Sequence, residues 1–127
     1  MRRIVMVMAL VGLLVAIFAA AALAVNKQCS NYPCYGTNAR DTLYERGGDG
    51  VPDKIWGLRY GDRIYATSFG ADADILNGGR GNDTLNSQDG DRRDTVNGGY
   101  GYDECLVDAP VEVGVGCDEV GMAAEGV

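Results

Sequence analysis

The chain has 127 residues, with 18 acidic and 11 basic side chains, a net charge of −7 and no histidine. This length accommodates one modest domain at most. Because the chain is acidic and has no clusters of Lys and Arg, its composition excludes binding to a nucleic-acid backbone. The lack of histidine excludes Ser-His and Cys-His nucleophiles and histidine metal sites, and no catalytic function is expected.

Residues 1–24 are typical of an export signal. A short basic start, Met1-Arg2-Arg3, precedes an apolar run from Ile4 to Val25 that contains Ala22-Leu23-Ala24, an A-x-A cleavage pattern. The run is also long enough to span a bilayer, so an uncleaved anchor is the alternative. Both interpretations predict that the rest of the chain lies outside the cytoplasm, either secreted or held at the membrane.

Four cysteines lie near the two ends of the remaining chain, and an exported protein with four cysteines is expected to form two disulfides. They are Cys29, Cys34, Cys105 and Cys117. Sequence alone does not choose among three possible pairings, although proximity favours Cys29 with Cys34 and Cys105 with Cys117. We expect residues 25–35 to form an N-terminal cap and 107–127 a C-terminal cap and tail, with 118–127 disordered because they lack periodicity.

The middle of the chain repeats the pattern D-x-U-x, in which U is one large apolar residue. The pattern begins at residues 41, 53, 62, 74, 83, 94 and 103, so every second repeat lies 20 or 21 residues further along. A paired period of this kind predicts two short strands per turn, the geometry of a two-sheet parallel solenoid.

We therefore predict an all-β fold, a parallel β-roll of about three to four turns over residues 36–106 with a disulfide-stapled cap at each end. Alternation along each strand directs U into the core. One inner row is expected to contain Leu43, Ile64, Leu85 and Cys105, and the other Ile55, Leu76 and Val96.

The segments between strands are expected to lie at two different edges of the roll. Edge one comprises the six-residue segments 36–41, 57–62, 78–83 and 98–103, and edge two comprises the longer segments 47–53, 67–74 and 87–94. At a strand spacing of about 4.8 Å, edge one places its aspartates in a ladder of like charges. Each neighbouring pair costs roughly 1 kcal/mol in water and several times more at a dielectric near 20, so the ladder predicts a counter-ion. These aspartates are Asp41, Asp62, Asp83 and Asp103.

Two edge-one segments resemble a known calcium-binding motif. GGRGNDTLN at 78–86 matches the nonapeptide G-G-x-G-x-D-x-U-x of the RTX family at every defined position, and GGYGYDECL at 98–106 is similar, with Cys105 as U. In that family, aspartates and backbone carbonyls of two stacked turns enclose Ca²⁺. The resemblance implies one site formed by Gly78, Gly79, Arg80, Gly81 and Asp83 with Gly98, Gly99, Tyr100, Gly101 and Asp103, and a second that uses Asp62 with Asp83.

The earlier edge-one segments depart from the motif. Thr37 and Leu58 replace its second glycine, and Ala39 and Tyr60 replace its third, which weakens any site between 36–41 and 57–62. Edge two lacks the motif's spacing but is rich in carboxylates. It is either a weaker ion site or a solvated acidic face. These carboxylates are Asp49, Asp53, Asp72, Asp74, Asp89, Asp91 and Asp94.

The resemblance implies a secreted, monomeric calcium-binding protein whose chain is expanded without the ion and folds when the ion neutralises the ladder. The alternative is a metal-independent adhesion or scaffold module. In that case Tyr44, Trp56 and Tyr65, which occupy the outward position of the first three repeats, contact a cell-surface glycan or protein. The segment 26–35 is placed to lie over this aromatic row as a cap, which favours a structural role for the row.

Overall fold

The structure is a computed structural model and describes residues 23–29, 33–47, 50–68 and 70–123. Residues 1–22 of the predicted export signal lie outside these ranges, as does Asp49. Within the described ranges, no helix has the length and apolar character needed to cross a membrane.

Short parallel strands alternate between two sheets. One sheet has six strands in the order β1-β3-β5-β7-β9-β10, and the other has four in the order β2-β4-β6-β8. Because successive strands from β2 to β9 enter opposite sheets, the chain winds as a β-solenoid of about four turns, which confirms the predicted all-β roll. The strands are β1 (Asn26–Gln28), β2 (Cys34–Tyr35), β3 (Thr42–Tyr44), β4 (Lys54–Arg59), β5 (Arg63–Tyr65), β6 (Ile75–Arg80), β7 (Thr84–Asn86), β8 (Thr95–Tyr100), β9 (Glu104–Val107) and β10 (Glu119–Met122).

The core consists of two facing rows of single apolar side chains. In the six-stranded sheet Leu43 pairs in register with Ile64, and Ile64 with Leu85. In the other sheet Ile55 pairs with Leu76, which pairs in turn with Val96. All are fully buried, as the repeat predicts. Burial of one such side chain contributes about 1.5–3 kcal/mol, so a turn with two of them gains little hydrophobic stabilisation.

Disulfides close the core at both ends. Cys29 bonds to Cys34, and Cys105 bonds to Cys117, which confirms the pairing that proximity favours. Cys34 stands in register with Ile55, and Cys105 with Leu85, so each disulfide has one sulfur in an inner row. Each bridge therefore covers the last apolar side chain of the stack.

The predicted aromatic row is divided between two outer faces, and the expectation of a single row is wrong. Tyr44 stacks on Tyr65 in the six-stranded sheet, with ring centroids 5.9 Å apart, whereas Trp56 stacks on Tyr35 in the other sheet at 5.2 Å. The row divides because successive repeats enter opposite sheets. The described parts of the segment that was predicted to cover this row, β1 and β2, instead extend the two sheets at their edges.

The C-terminal segment continues the roll where disorder was expected. Strand β10 pairs with β9, and the Asp118 carboxylate accepts the Asp103 amide at 2.9 Å. Asp118 thus occupies the next position of the aspartate ladder, which the repeat analysis missed because it lies 15 residues after Asp103. The expectation of disorder is therefore wrong for residues 118–123.

Two turn residues adopt backbone conformations that normally require glycine. Leu58 has φ 87° and Tyr60 φ 76°, while the matching residues of the next turn, Gly79 and Gly81, have φ 102° and 132°. Leu58 pairs in register with Gly79. The stacked turns thus share one backbone path, and the earlier turn follows it at the cost of left-handed strain, about 1–2 kcal/mol per residue.

We expect Leu58→Gly to raise the free energy of unfolding by about 0.5–1 kcal/mol, because relief of the left-handed strain exceeds the extra entropy of the unfolded chain. The measurement is urea denaturation at a fixed calcium concentration. The neighbouring Arg59→Gly variant is the control, and it should lower stability because its φ is not positive. Equal losses in both variants would contradict the strain at Leu58.

Candidate metal centre

Edge one carries a ladder of buried aspartates connected through the backbone. The Asp41 amide donates to Asp62 Oδ1 at 2.8 Å, the Asp62 amide to Asp83 Oδ1 at 2.7 Å, and the Asp83 amide to Asp103 Oδ1 at 2.8 Å. All four side chains are at most 2% exposed. One carboxylate oxygen of each rung from Asp62 onward is thereby fixed against the preceding turn.

The other oxygen of three rungs is unsatisfied. Oδ2 of Asp62, Asp83 and Asp103 is buried and has no hydrogen-bond partner among the described residues. An unpaired polar group away from water costs about 1–3 kcal/mol, and more when it is charged. These three atoms therefore require either a proton or a cation.

The glycine that opens each segment leaves space beside these oxygens. A Cβ at Gly78 would overlap both Asp83 Oδ2 and the Gly98 carbonyl oxygen, which belongs to the following turn. The same arrangement recurs at Gly57 and at Gly98, each next to its own ladder aspartate and the carbonyl of the next turn. A carboxylate and a carbonyl from adjacent turns thus face one small volume that only glycine keeps open. This donor set fits a small hard cation.

The first segment of edge one satisfies its aspartate internally. Asp41 Oδ2 accepts hydrogen bonds from both the amide and the hydroxyl of Thr37, and the hydroxyl also lies 3.0 Å from Asp41 Oδ1. Thr37 is the residue that replaces the motif's second glycine. Its amide and hydroxyl donate to Asp41 Oδ2, whereas the matching oxygens of the later rungs would need a proton or a cation. The replacement of glycine by Thr37 therefore satisfies the aspartate of the same segment.

The predicted calcium ligands lie in neighbouring turns. Gly79 stands in register with Gly99, and Arg80 with Tyr100, while Asp62 lies one turn earlier. The side chains of Arg80 and Tyr100 are exposed, with the guanidinium 6.0 Å from the ring centroid, so only their backbone is placed to take part. The Tyr100 carbonyl accepts the Gly81 amide at 2.9 Å.

Burial raises the pKa of the three ladder carboxyls that have an unsatisfied oxygen. It raises the pKa of Asp62 to about 7 and that of Asp83 to about 6, and it also raises the pKa of Asp103. Neighbouring ladder charges add to each shift: Asp83 and Asp41 act on Asp62, and Asp103 acts on Asp83. In the absence of a cation, these carboxyls thus take up a proton more readily than an exposed aspartate does.

Edge two is not a solvated acidic face. Asp53, Asp74, Asp89 and Asp94 are at most 4% exposed and Asp72 is 9% exposed, so that expectation is wrong. Burial raises the pKa of Asp74 to about 8, of Asp94 to about 7 and of Asp89 to about 6. Among the described residues, three groups of three acids each bring one oxygen per residue within 4.8 Å of the others: Glu45-Asp53-Asp74, Asp72-Asp74-Asp89 and Asp89-Asp91-Asp94.

Two buried glutamates at this edge were missed by the sequence analysis. Glu45 is 6% exposed and its Oε1 accepts the Ser68 amide. It lies two residues after Leu43, so the alternation that directs Leu43 inward also directs Glu45 inward and was a usable signal. Glu112 is 1% exposed and its Oε2 accepts the Asp108 amide at 2.7 Å. Glu112 lies beyond the last repeat, so no sequence pattern predicts that its side chain is buried.

The donors at both edges are carboxylate and carbonyl oxygens, without imidazole or thiolate. Such a set suits Ca²⁺ or Mg²⁺ and not the softer transition metals. No protein-family model, curated protein or solved structure matches the chain. The assignment of the centre therefore depends on its geometry and chemistry.

We expect the metal-free protein to lose stability as the pH rises through the range 6 to 8. Asp62, Asp74, Asp83 and Asp94 have folded-state pKa values of about 6 to 8, above the 3.8 of an unperturbed aspartate. A carboxyl with a raised folded pKa stabilises the fold fully below its unfolded pKa, and this stabilisation disappears as the pH passes the folded pKa. In chelator, the folded fraction measured by circular dichroism should therefore fall between pH 5 and pH 8. A flat or rising profile would contradict buried, uncompensated carboxyls.

Proposed function

We propose that this protein is a calcium-binding β-roll of RTX type, in which ions bound between stacked turns of edge one complete the fold. One observation carries the proposal: the buried Oδ2 atoms of Asp62, Asp83 and Asp103 have no hydrogen-bond partner within the described ranges of the chain. A backbone carbonyl of the following turn faces the same space as each of them. Ca²⁺ binds such oxygens at 2.3–2.6 Å with flexible geometry.

The proposed ligands are ladder aspartates of edge one and backbone carbonyl oxygens of the turns that carry them. One ion is held between segments 78–83 and 98–103, with the Asp83 and Asp103 carboxylates and carbonyl oxygens of both segments. A second uses Asp62 with Asp83. The bound ion supplies positive charge at the buried oxygens, and the chain supplies two turns at a fixed separation, held by the amide of Asp83 on Asp103 Oδ1.

Ion binding and folding are coupled in this proposal. Each turn buries only two large apolar side chains while it also buries carboxylates, so charge repulsion opposes a small hydrophobic gain. An ion that binds only the folded roll stabilises it by mass action. The unliganded chain is then expanded, and a calcium-rich environment drives formation of the roll.

We further propose that the protein acts outside the cytoplasm, either secreted or anchored at the membrane. The two disulfides support this location, since such bonds persist in oxidising compartments. The competing function is a metal-independent adhesion or scaffold module. It has less support because Tyr44 and Tyr65 lie on one outer face and Trp56 on the other.

The first test is far-UV circular dichroism of the disulfide-bonded protein, titrated from excess chelator to millimolar Ca²⁺ and repeated with Mg²⁺. We expect a cooperative gain of β signal with Ca²⁺ alone, because the ion relieves the repulsion within the ladder. A β spectrum that chelator does not change would contradict coupled folding and favour the adhesion module.

The second test removes one ladder charge. Asp83→Asn should weaken calcium affinity by about tenfold or more, because Asp83 faces both proposed edge-one ions. Asp41→Asn is the matched control. It lies in the same ladder, but its Oδ2 is already occupied by Thr37, so the number of bound ions should not change. If calorimetry gives equal calcium affinities for Asp83→Asn and the wild type, the edge-one site is refuted.

A further inference from the structure

Three carboxylates of edge two, those of Asp74, Asp89 and Asp94, each use one oxygen to accept a backbone amide. Oδ1 of Asp94 accepts the Asp74 amide at 2.8 Å, and Oδ1 of Asp74 accepts the Asp53 amide at 2.7 Å. Within segment 87–94, Asp89 Oδ1 accepts the Asp91 amide at 2.9 Å. Backbone hydrogen bonds thus fix the direction in which the second oxygen of each group lies.

Those second oxygens are buried and unsatisfied. Oδ2 of Asp74, Asp89, Asp91 and Asp94 has no hydrogen-bond partner in the part of the chain that the structure describes. Asp74, Asp89 and Asp94 are 0%, 2% and 4% exposed, so bulk water does not reach these carboxylates. These four acids belong to two groups, Asp72-Asp74-Asp89 and Asp89-Asp91-Asp94, in each of which one oxygen per residue lies within 4.8 Å of the others. This is the environment of an inward-facing cation site and not of an acidic surface.

We propose that edge two binds two further divalent cations of the Ca²⁺ type at adjoining sites that share Asp89. The first site is formed by Asp72, Asp74 and Asp89, and the second by Asp89, Asp91 and Asp94. Neither site uses the glycine nonapeptide, and neither shares a ligand with the edge-one ions. The inference therefore goes beyond the proposed function and depends on different residues.

The segment that carries Asp89 is supported from the following turn. Asp108 Oδ2 accepts the amides of Asp89 and Gly90 at 2.9 and 2.8 Å, and Gly90 has φ 100°, a conformation that suits glycine. Glu112 in turn accepts the Asp108 amide. The bend at 89–91 is thus held by contacts outside the proposed sites, and its carboxylates converge without help from an ion.

The ligand chemistry selects the class of ion. Each site offers three carboxylates and no nitrogen or sulfur donor, which disfavours Zn²⁺ and Cu²⁺. The first site takes its ligands from two successive loop segments, 67–74 and 87–94, and the second takes all three from 87–94, so neither is a regular cage. Ca²⁺ tolerates such irregular arrangements of 6–8 oxygens, whereas Mg²⁺ demands a near-ideal octahedron. Ca²⁺ is accordingly the probe for the test.

The test is to count bound Ca²⁺ by equilibrium dialysis and calorimetry on the full disulfide-bonded chain. Asp89→Asn keeps an oxygen for the Asp91 amide but removes the shared charge, so we expect the loss of two bound ions or at least a tenfold fall in their affinity. Asp83→Asn should affect only the edge-one ions. Glu104→Gln, on the outer face of β9, is the charge-matched control and should bind the wild-type number of ions.

The outcomes separate the two proposals. If Asp89→Asn binds as many ions with the same affinity as the wild type while Asp83→Asn loses ions, edge two is overturned and edge one stands. The reverse result overturns edge one alone. If Asp89→Asn fails to fold, Asp91→Asn decides, because this partly exposed residue belongs to one site only. A folded Asp91→Asn variant with the full number of ions at unchanged affinity refutes the second edge-two site and the shared Asp89.

Discussion

The architecture depends on one hydrogen bond that recurs from turn to turn, between the amide of an aspartate and the Oδ1 of the aspartate one turn later. It occurs at edge one from Asp41 to Asp103 and at edge two from Asp53 to Asp94. Because the bond needs the same carboxylate at each turn, it accounts for a constant repeat of 20 or 21 residues. It also fixes the second oxygen of each carboxylate inside the roll.

Because this bond buries a carboxylate at every turn, the rest of the molecule must compensate for buried negative charge. A core of two apolar side chains per turn offsets little of the cost of buried carboxylates. The surroundings of the second carboxylate oxygen differ from one ladder aspartate to the next. Thr37 donates to Asp41 at the N-terminal end of the ladder, while Asp62, Asp83 and Asp103 keep an open oxygen beside a neighbouring carbonyl. The disulfides close the apolar core at its two ends.

Sequence predicted the features that repeat and missed those that depend on a single turn. Constant spacing gave the two inner rows, and proximity favoured the observed cysteine pairs. Asp118 was missed because a shortened turn brings it into the ladder after 15 residues. The burial of Asp89, which lies in the irregular part of an edge-two segment, was also beyond prediction. Irregular segment lengths do not reveal whether a loop folds over its own carboxylates or leaves them in water.

Leu58 and Tyr60 show that glycine is the easiest residue for these turns but is not what defines them. Both hold a left-handed backbone because the adjacent turns impose that path, and the Asp62 that follows still has an unsatisfied buried oxygen. The first turn also departs from the motif, yet its aspartate is satisfied, because Thr37 donates to it. Glycine content alone therefore misjudges which turns keep an unsatisfied carboxylate oxygen. The better criterion is whether any donor reaches the second carboxylate oxygen, and it applies equally to edge two, where the motif is absent.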